Sequence, residues 1–236
     1  MQNEVKTDET QVSSQEETKI ILPFEREDGK EYFIEDLGRI KRKPFYSFVK
    51  RLVDIIAGLL GIIVFAIPMI IIAILVKVDS KGSVFYAQER LGLNGKKIKV
   101  LKFRTMCQNA EKNGAQWSGG KNDSRITKVG KKLRDFRLDE IPQFFCIFVG
   151  SMTLVGPRPE RECFYEEFEK YVHGFSERLK VKPGLTGLAQ VNGGYDLKPE
   201  EKIIYDIEYI KKRSLWLDLK IMFKTVAVVF THDGAK

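Results

Sequence analysis

The chain has 236 residues with a formal net charge of +8, and 43% of its residues are hydrophobic against 31% charged. This balance excludes a disordered or fibrous chain and is typical of one ordinary domain or two small ones. Three cysteines without a CxxC spacing exclude a disulfide framework and indicate reduced thiols in a cytosolic protein. The two histidines, His173 and His232, argue against a histidine-built zinc site and a Ser-His-Asp triad, so carboxylates, lysines and arginines would carry any chemistry.

The N-terminal region differs in charge from the rest of the chain. Residues 1–40 hold 5 Lys+Arg and 11 Asp+Glu, a net charge of −6, whereas residues 41–236 carry +14. Residues 1–17 have almost no apolar side chains and are expected to be flexible, while residues 18–40 have apolar residues that can pack locally. We therefore predict an acidic, largely flexible extension over residues 1–43. The basic remainder favours an anionic partner, which can be phospholipid headgroups, a phosphorylated substrate or nucleic acid.

Residues 44–80 contain a segment apolar enough for a membrane. Residues 55–76 form a run of 22 uncharged residues, about 33 Å long as a helix and sufficient to span a bilayer. Pro68 lies near the middle and would remove the helical hydrogen bond to the Val64 carbonyl. Basic residues flank both ends, so the positive-inside rule gives no orientation. The residues fit equally a hairpin that breaks at Pro68 and returns to the same face, and a proline-kinked spanning helix.

Residues 81–236 predict a small cytosolic domain of α+β structure, mainly α. Alternating residues at 83–88 and 96–103, with Asn94-Gly95 between them, predict a short β-hairpin in which residues 89–93 belong to a wide loop. Residues 107–125 are rich in Asn, Gly and Ser and predict a mobile loop. The Gly- and Pro-rich residues 150–159 and 182–187 predict fixed irregular turns, the first of which carries Arg158.

Five segments of this domain predict helices: residues 126–136, 139–149, 160–171, 198–212 and 215–230. The first and the last have the composition of amphipathic helices at a membrane interface, and each fits equally an ordinary helix packed on a core. In the second, Asp139 fits the N-cap and Glu140 the first turn, where Pro142 is tolerated.

Asp139 and Glu140 are the candidate catalytic pair. Taken alone, two acidic residues at a helix start are more simply explained as capping residues. Basic residues near them in sequence are Lys102, Arg104, Arg134, Arg137 and Arg158. A helix N-terminus with guanidinium groups favours phosphate, and a carboxylate beside a phosphate with a shared hard cation is typical of phosphoryl transfer. The sequence has no P-loop lysine motif and no GxGxxG, which disfavours a Walker-type ATP site and a Rossmann site.

Five motifs occur in order along the chain: Lys50-Arg-Leu-Val-Asp54, Lys102-Phe-Arg-Thr-Met106, Leu138-Asp-Glu-Ile-Pro-Gln143, Val155-Gly-Pro-Arg-Pro159 and Lys182-Pro-Gly-Leu-Thr-Gly-Leu-Ala-Gln-Val-Asn192. Together they resemble the bacterial sugar transferases, the monotopic phosphoglycosyl transferases. Any one motif is weak evidence, but five in this order are highly specific. The resemblance runs from about residue 44 to residue 230, and it is to the minimal, single-domain members.

The resemblance implies a fold and a reaction. The fold is a re-entrant membrane helix broken at Pro68, joined to a catalytic domain on the cytoplasmic face of the bacterial membrane. The reaction is transfer of a sugar-1-phosphate from a UDP-sugar to undecaprenyl phosphate, the first membrane step in assembling an exopolysaccharide, capsule or other glycan. Asp139 would attack the β-phosphate with release of UMP, and Glu140 would complete a dyad that holds Mg²⁺.

By the same resemblance, the phosphates would be held by Lys102, Arg134 and Arg158. The implied partners are the UDP-sugar, undecaprenyl phosphate and anionic membrane lipids, without nucleic acid, and a homo-oligomer is compatible with this reading. Three positions depart from the family pattern: Ser151 stands where members usually carry Asp, Cys146 where Asn is frequent, and Arg137 where Ser is commoner. Because Ser151 lacks the carboxylate found there in other members, whether this position binds a metal is left open.

An alternative class of function is a membrane-anchored protein that binds anionic lipid or nucleic acid without catalysis. It predicts salt-sensitive binding through many Lys and Arg residues and no dependence on Asp139. A nucleic-acid enzyme is less favoured because no recognisable nucleic-acid-reading module occurs in the sequence.

Overall fold

The computed structural model describes residues 29–108, 110, 123–193 and 197–231. The helices are α1 (Pro44–Val64), α2 (Ala66–Asp79), α3 (Lys128–Asp135), α4 (Gln143–Val149), α5 (Glu162–Glu169), α6 (Leu188–Asn192), α7 (Pro199–Lys212) and α8 (Leu215–Thr231). The strands are β1 (Tyr32–Phe33), β2 (Phe85–Leu91), β3 (Lys97–Phe103), β4 (Thr153–Val155), β5 (Val172–His173) and β6 (Gly184–Thr186). The predicted class, α+β but mainly α, is confirmed. The predicted flexible residues 1–17, and most of the predicted mobile loop at 107–125, lie outside the described residues.

The apolar segment folds as two helices with a sharp bend. Phe65 separates α1 from α2, and the two helices are bent by 59°. Pro68 lies in the first turn of α2, where backbone N–H groups have no helical acceptor, so the N–H that proline lacks costs no helical hydrogen bond. The break between the helices therefore lies before Pro68 and not at it. The proline still causes the break, because its ring clashes with the carbonyl four residues earlier, that of Val64. Among the described residues no single helix is long and apolar enough to cross a membrane, whereas α1 and α2 together are.

The N-terminal half of α1 is attached to the globular part by its charged residues. Lys50 Nζ donates to Asp218 Oδ2 at 2.7 Å and to the Val155 carbonyl at 2.9 Å. Asp54 is buried, and its Oδ1 accepts from the Leu154 N–H at 2.9 Å. The first sequence motif therefore anchors α1 to β4 and α8.

The C-terminal end of α2 is attached to the same globular part. Arg104, which directly follows β3, donates from Nη2 to the carbonyls of Ser80 at 2.7 Å and Val76 at 3.3 Å. Asp79 Oδ2 accepts from the Val129 N–H of α3 at 3.1 Å. Both ends of the bent pair are thus bound to one folded body.

Strands β2 and β3 form the predicted hairpin, with pairing that is longer than predicted. The antiparallel ladder runs from Phe85 opposite Phe103 to Leu91 opposite Lys97. Residues 89–91, which the sequence assigned to a wide loop, are therefore paired strand. The pairing extends this far because Asn94, with φ 55°, closes a compact turn in which the Gly92 N–H donates to the Lys96 carbonyl at 2.9 Å.

The largest hydrophobic cluster lies around α5 and α7, where Phe164, Phe168, Phe175 and Ile203 are buried. The residues before α1 also join it. β1 pairs in parallel with β5, and Tyr32, Ile34, Leu37 and Ile40 pack against the cluster. The described part of residues 18–40 therefore packs, but against residues far along the chain and not locally as predicted, while residues 18–28 lie outside the described residues.

The two predicted irregular turns each contain a short strand. β4 and β6 pair in parallel, with Thr153 opposite Gly184 and Val155 opposite Thr186. Gly184 is required for this pairing, because a Cβ on it would lie 2.1 Å from the Gly156 nitrogen. The predicted helices at 126–136, 160–171, 198–212 and 215–230 are confirmed as α3, α5, α7 and α8. The pairing of β4 with β6 fixes the turn that presents Arg158.

Candidate active site

Asp139 and Glu140 lie side by side in a 3₁₀ turn, Leu138–Glu140, and each is 7% exposed. The prediction that Asp139 caps the following helix is wrong, because α4 begins at Gln143 with Pro142 as its N-cap residue. Arg137 has a left-handed backbone (φ 55°, ψ 20°), which turns the chain sharply after α3. A non-glycine residue rarely adopts this conformation, and such residues are concentrated at functional sites.

Glu140 is bound by two cations from different elements. Lys102 Nζ, on β3, lies 2.8 Å from Glu140 Oε1. Arg158 donates to both carboxylate oxygens, from Nη2 to Oε1 and from Nη1 to Oε2 at 3.4 Å. Burial alone would raise the pKa of Glu140, but the charges of Arg158 and Lys102 outweigh it and hold the pKa well below its usual range. Glu140 is therefore ionised at neutral pH.

Asp139 is in a different electrostatic position. Lys102 Nζ is 3.9 Å from Asp139 Oδ2, farther than from Glu140. Burial raises the pKa of Asp139; Lys102 lowers it in part, and the charge of Glu140 raises it further, so the net shift is upward. A carboxylate with a raised pKa is more basic, and therefore more nucleophilic once ionised, than an exposed aspartate.

Arg134 lies on α3 beside the dyad. Its Nε donates to Thr105 Oγ1 at 2.9 Å, and its charge lowers the pKa of Asp139, against the net upward shift. Of the three predicted phosphate-binding residues, the structure brings Lys102 and Arg158 into contact with the dyad, and it orients Arg134 through Thr105. Arg104, from the same motif as Lys102, binds the end of α2 instead. Pro68 is positioned in α2 and belongs to the break between α1 and α2.

Buried charges that the sequence analysis did not identify support the turn that carries Arg158. Arg178 donates to the Arg158 carbonyl at 2.8 Å and forms a buried ion pair with Asp206 at 2.6 Å. Lys202 pairs with Glu160 at 3.2 Å. The available signal was the spacing of Lys202 and Asp206, four residues apart on the inner face of α7, where a charged pair must have buried partners.

The position of Ser151 is explained by the end of α4. The Ser151 hydroxyl donates to the Cys146 carbonyl at 3.1 Å, directly after Gly150, which ends the helix with φ 91°. Since the seven residues of α4 extend for about 10 Å, Ser151 lies at the opposite end of the helix from the dyad. Cys146 is buried, and its Sγ contacts the Lys99 carbonyl at 3.6 Å. Both departures from the family pattern therefore serve the packing of α4.

The carboxylates present fit a magnesium ion shared with a substrate. Within the described residues, no cluster of three or more His, Cys, Asp or Glu side chains could hold a metal ion. Mg²⁺ in phosphate-transferring sites is usually bound by one or two carboxylates together with substrate phosphates. Asp139 and Glu140 supply that number, so the donor set suits Mg²⁺ that arrives with a phosphorylated ligand.

Comparisons with known proteins agree with these motifs. Residues 45–232 match the family described as bacterial sugar transferase. A UDP-N-acetylgalactosamine-undecaprenyl-phosphate N-acetylgalactosaminephosphotransferase of Aeromonas hydrophila is 42% identical over 203 residues, covering 85% of this chain and 48% of the relative. A UDP-glucose:undecaprenyl-phosphate glucose-1-phosphate transferase of Klebsiella pneumoniae is 46% identical over 191 residues, covering 79% of this chain and 41% of the relative.

A third relative has a similar length. The exopolysaccharide production protein ExoY of Rhizobium meliloti is 36% identical over 219 residues, which cover 86% of this chain and 95% of the relative. The chain thus spans about half or less of the first two relatives and nearly all of the third. The family match begins at the second residue of α1 and includes the remaining helices to α8 and all five motifs. The chain belongs to the bacterial sugar transferase family.

Proposed function

We propose that this chain is a phosphoglycosyl transferase, which transfers a sugar-1-phosphate from a UDP-sugar to undecaprenyl phosphate and releases UMP. The names of the relatives from Aeromonas hydrophila and Klebsiella pneumoniae support this donor class and acceptor. The observation that carries the proposal is the asymmetry of the dyad. Lys102 and Arg158 both bind Glu140 directly, whereas Lys102 Nζ lies 3.9 Å from Asp139 Oδ2, and the raised pKa of Asp139 agrees with this weaker neutralisation.

The proposed chemistry proceeds in two displacements. An ionised oxygen of Asp139 attacks the β-phosphorus of the UDP-sugar, and the bond from that phosphorus to the oxygen bridging to the α-phosphorus breaks. UMP leaves with the bridging oxygen, and the sugar phosphate remains on Asp139 as an acyl phosphate. A phosphate oxygen of undecaprenyl phosphate then attacks the same phosphorus, and the Asp139 carboxylate is regenerated.

The basic residues and the metal have separate roles in this proposal. Arg158 and Lys102 offset the charge of Glu140 and of the bound diphosphate, and Arg134 adds positive charge on the α3 side. Asp139 and Glu140 would hold Mg²⁺ together with the donor phosphates, and the ion would neutralise charge on those phosphates.

We propose that the site lies at the cytoplasmic face of the bacterial cytoplasmic membrane, and the exposed apolar surface supports its contact with a membrane. Large hydrophobic side chains are exposed on four helices: Ile63 and Val64 on α1, Ile67, Ile70 and Ile74 on α2, Phe145 and Phe148 on α4, and Trp216 and Phe223 on α8. Apolar surfaces of this extent mark membrane or protein contacts. α4 directly follows the dyad, so an apolar surface on this helix would bring the nucleophile to the lipid headgroups, where a lipid phosphate can reach it.

The attachments of the bent pair favour a re-entrant arrangement over a spanning helix. Lys50 and Asp54 bind the first helix to β4 and α8, and Arg104 binds the end of the second. A spanning helix would separate its ends by the hydrocarbon thickness, about 30 Å, which is incompatible with anchoring both to one small domain. Anionic lipids would pair with the basic residues that flank the segment.

UMP release by the purified, detergent-solubilised full chain tests the proposal. The assay contains Mg²⁺ and undecaprenyl phosphate with a panel of UDP-sugars that includes UDP-glucose and UDP-N-acetylgalactosamine, the donors of the two relatives. We expect UMP release with at least one donor and none with Asp139→Asn. Absence of release with every donor would overturn the proposal. If the chain binds membranes equally well with and without Asp139→Asn and shows no turnover, the non-catalytic lipid-binding alternative would be favoured.

A further inference from the structure

A polar cleft with a volume of about 240 Å³ opens between β2 and the start of α5. Its walls are residues 86–89 of β2 and residues 161–163. None of these residues has a role in the two displacements described above. The cleft therefore is a candidate for a part of the donor that lies away from the reacting phosphorus.

One end of the cleft is next to Lys102, the residue that pairs with both acids of the dyad. Tyr86 is directly opposite Lys102 in the β2–β3 ladder, and residues paired in this way project from the same face of the sheet. Lys102 reaches Glu140 on that face at 2.8 Å. On the other wall, Arg161 follows Arg158 by three residues, in the segment that leads from the irregular turn into α5. A ligand with its phosphate at the dyad can therefore extend into the cleft.

The strand edge that faces the cleft presents backbone hydrogen-bonding groups. The Arg104 N–H donates to the Val84 carbonyl at 2.9 Å across the hairpin, whereas the Leu91 N–H donates to the Glu160 carbonyl at 2.9 Å on the opposite edge. In an antiparallel ladder, alternate residues direct both backbone groups to the same edge. Ala87 and Glu89 have the same parity as Leu91, so their N–H and C=O groups point towards residues 161–163.

These features match the chemistry of a uridine. The edge of uracil offers an acceptor, a donor and an acceptor, which can pair with the N–H and C=O groups of a strand edge. Tyr86 has an aromatic ring that is 43% exposed at the cleft and can stack on the base. Arg161, whose guanidinium lies 5.9 Å from the Phe164 ring centroid, adds a cation at the wall nearest Arg158.

We propose, on the basis of the proposed function, that this cleft holds the uridine end of the donor. Tyr86 stacks on uracil, the β2 edge at Ala87 and Glu89 recognises its hydrogen-bonding edge, and Arg161 binds the α-phosphate that leaves with UMP. The sugar then extends from the dyad in the other direction. Recognition of the nucleotide is thereby separated from selection of the sugar.

Equilibrium binding of UMP to the full chain in detergent tests this assignment without requiring turnover. We expect Tyr86→Ala to weaken UMP binding about tenfold and Tyr86→Phe, which keeps the ring, to bind UMP within about twofold of the unaltered chain. Arg161→Gln should weaken UMP binding and leave the weaker binding of uridine unchanged. Phe33→Ala, which removes an exposed aromatic ring on β1, is the matched control and should bind UMP normally.

Two results would overturn the assignment. The first is an unchanged UMP affinity in both single variants, Arg161→Gln and Tyr86→Ala. If thermal unfolding shows that Tyr86→Ala does not fold, an unchanged UMP affinity in Arg161→Gln alone overturns the assignment. The second is loss of affinity for a sugar-1-phosphate, with UMP affinity unchanged, because the cleft would then hold the sugar. Failure of the proposed function gives a different pattern, in which no UDP-sugar releases UMP although UMP binding still responds to these variants.

Discussion

Lys102 Nζ lies 2.8 Å from Glu140 Oε1 and 3.9 Å from Asp139 Oδ2, so one ammonium group is shared unequally by the two acids. Arg158 adds a second cation to Glu140. The result is a pair of adjacent carboxylates with pKa values shifted in opposite directions. Pairs separated in this way usually have different chemical roles, and here the more basic carboxylate is the proposed nucleophile.

Replacing Arg158 by lysine tests the two-oxygen contact with Glu140. Lysine keeps the charge but cannot donate to both carboxylate oxygens in the planar geometry of a guanidinium group. We expect Arg158→Lys to lower the rate of UMP release about 10- to 100-fold, since charge stabilisation at a transferring phosphoryl group depends on fixed donors. Lys131→Met, which removes an exposed cation from α3, should leave the rate unchanged. Normal activity of Arg158→Lys would contradict this role.

Asp139→Asn should raise the thermal unfolding temperature at pH 7 while it removes activity. The folded-state pKa of Asp139 is raised, so ionisation opposes folding; this cost appears as pH rises through the usual aspartate range and is complete above the folded pKa. The amide has no such charge. The stabilisation should therefore disappear as pH falls below the usual aspartate range, where both side chains are neutral. If Asp139→Asn unfolds at a lower temperature than the unaltered chain at pH 7, ionised Asp139 does not destabilise the fold, which would contradict this prediction.

Glu140→Gln should have the opposite effect on stability. The folded-state pKa of Glu140 is lowered, so its ionised form stabilises the fold above the usual glutamate pKa, and this contribution is lost as pH falls through the folded value. The variant leaves Lys102 and Arg158 without their buried counter-charge. Thermal unfolding between pH 3 and pH 8 should show a deficit that is greatest near neutrality and shrinks in acid. A deficit independent of pH would assign the effect to packing instead of charge.

Lys50→Met should destabilise the chain by about 2–3 kcal/mol, because it leaves the Asp218 carboxylate, 9% exposed, without its cation. The matched control is Lys212→Met, whose partner Glu208 is on the surface; exposed pairs of this kind contribute about 0–1 kcal/mol. Denaturant unfolding of the two variants gives the comparison. Equal losses would mean that the motif at residues 50–54 does not anchor α1.

Cysteine labelling tests the arrangement of α1 and α2 in a membrane. Ser47 and Lys81 are exposed at opposite ends of the bent pair, and the three native cysteines can be replaced in the background chain. With Ser47→Cys and Lys81→Cys, an impermeant thiol reagent should label both positions from the cytoplasmic side. Labelling from opposite sides would mean a true span and would contradict attachment of both ends to one domain.

The sequence was most informative where a local pattern determines the structure. The period of apolar residues predicted α3, the composition of their segments predicted α5, α7 and α8, and Asn94-Gly95 predicted the hairpin turn. Local patterns predicted the structure less well where contacts between residues far apart in sequence determine it. The β4–β6 pairing joins two segments that each resemble an irregular turn, and residues 89–91 become strand because the hairpin partner continues to Lys97.

The candidate site shows the same limit. The motifs identified Asp139, Glu140, Lys102 and Arg158 from residue type and order, yet they did not indicate that both cations would bind Glu140 and leave Asp139 with a raised pKa. That difference depends on side-chain positions set by β3 and by the turn after β4. The supporting charges of α7 were missed for the same reason, since their partners lie far away in sequence.

Trapping the covalent intermediate is the most direct test of the central claim. The full chain is mixed with Mg²⁺ and its UDP-sugar without undecaprenyl phosphate, quenched in acid, digested and analysed by mass spectrometry. We expect the peptide that contains Asp139 to gain the mass of one sugar phosphate, and the gain to disappear on addition of undecaprenyl phosphate and in Asp139→Asn. Full turnover without this adduct, or an adduct on Glu140 instead, would contradict Asp139 as the nucleophile.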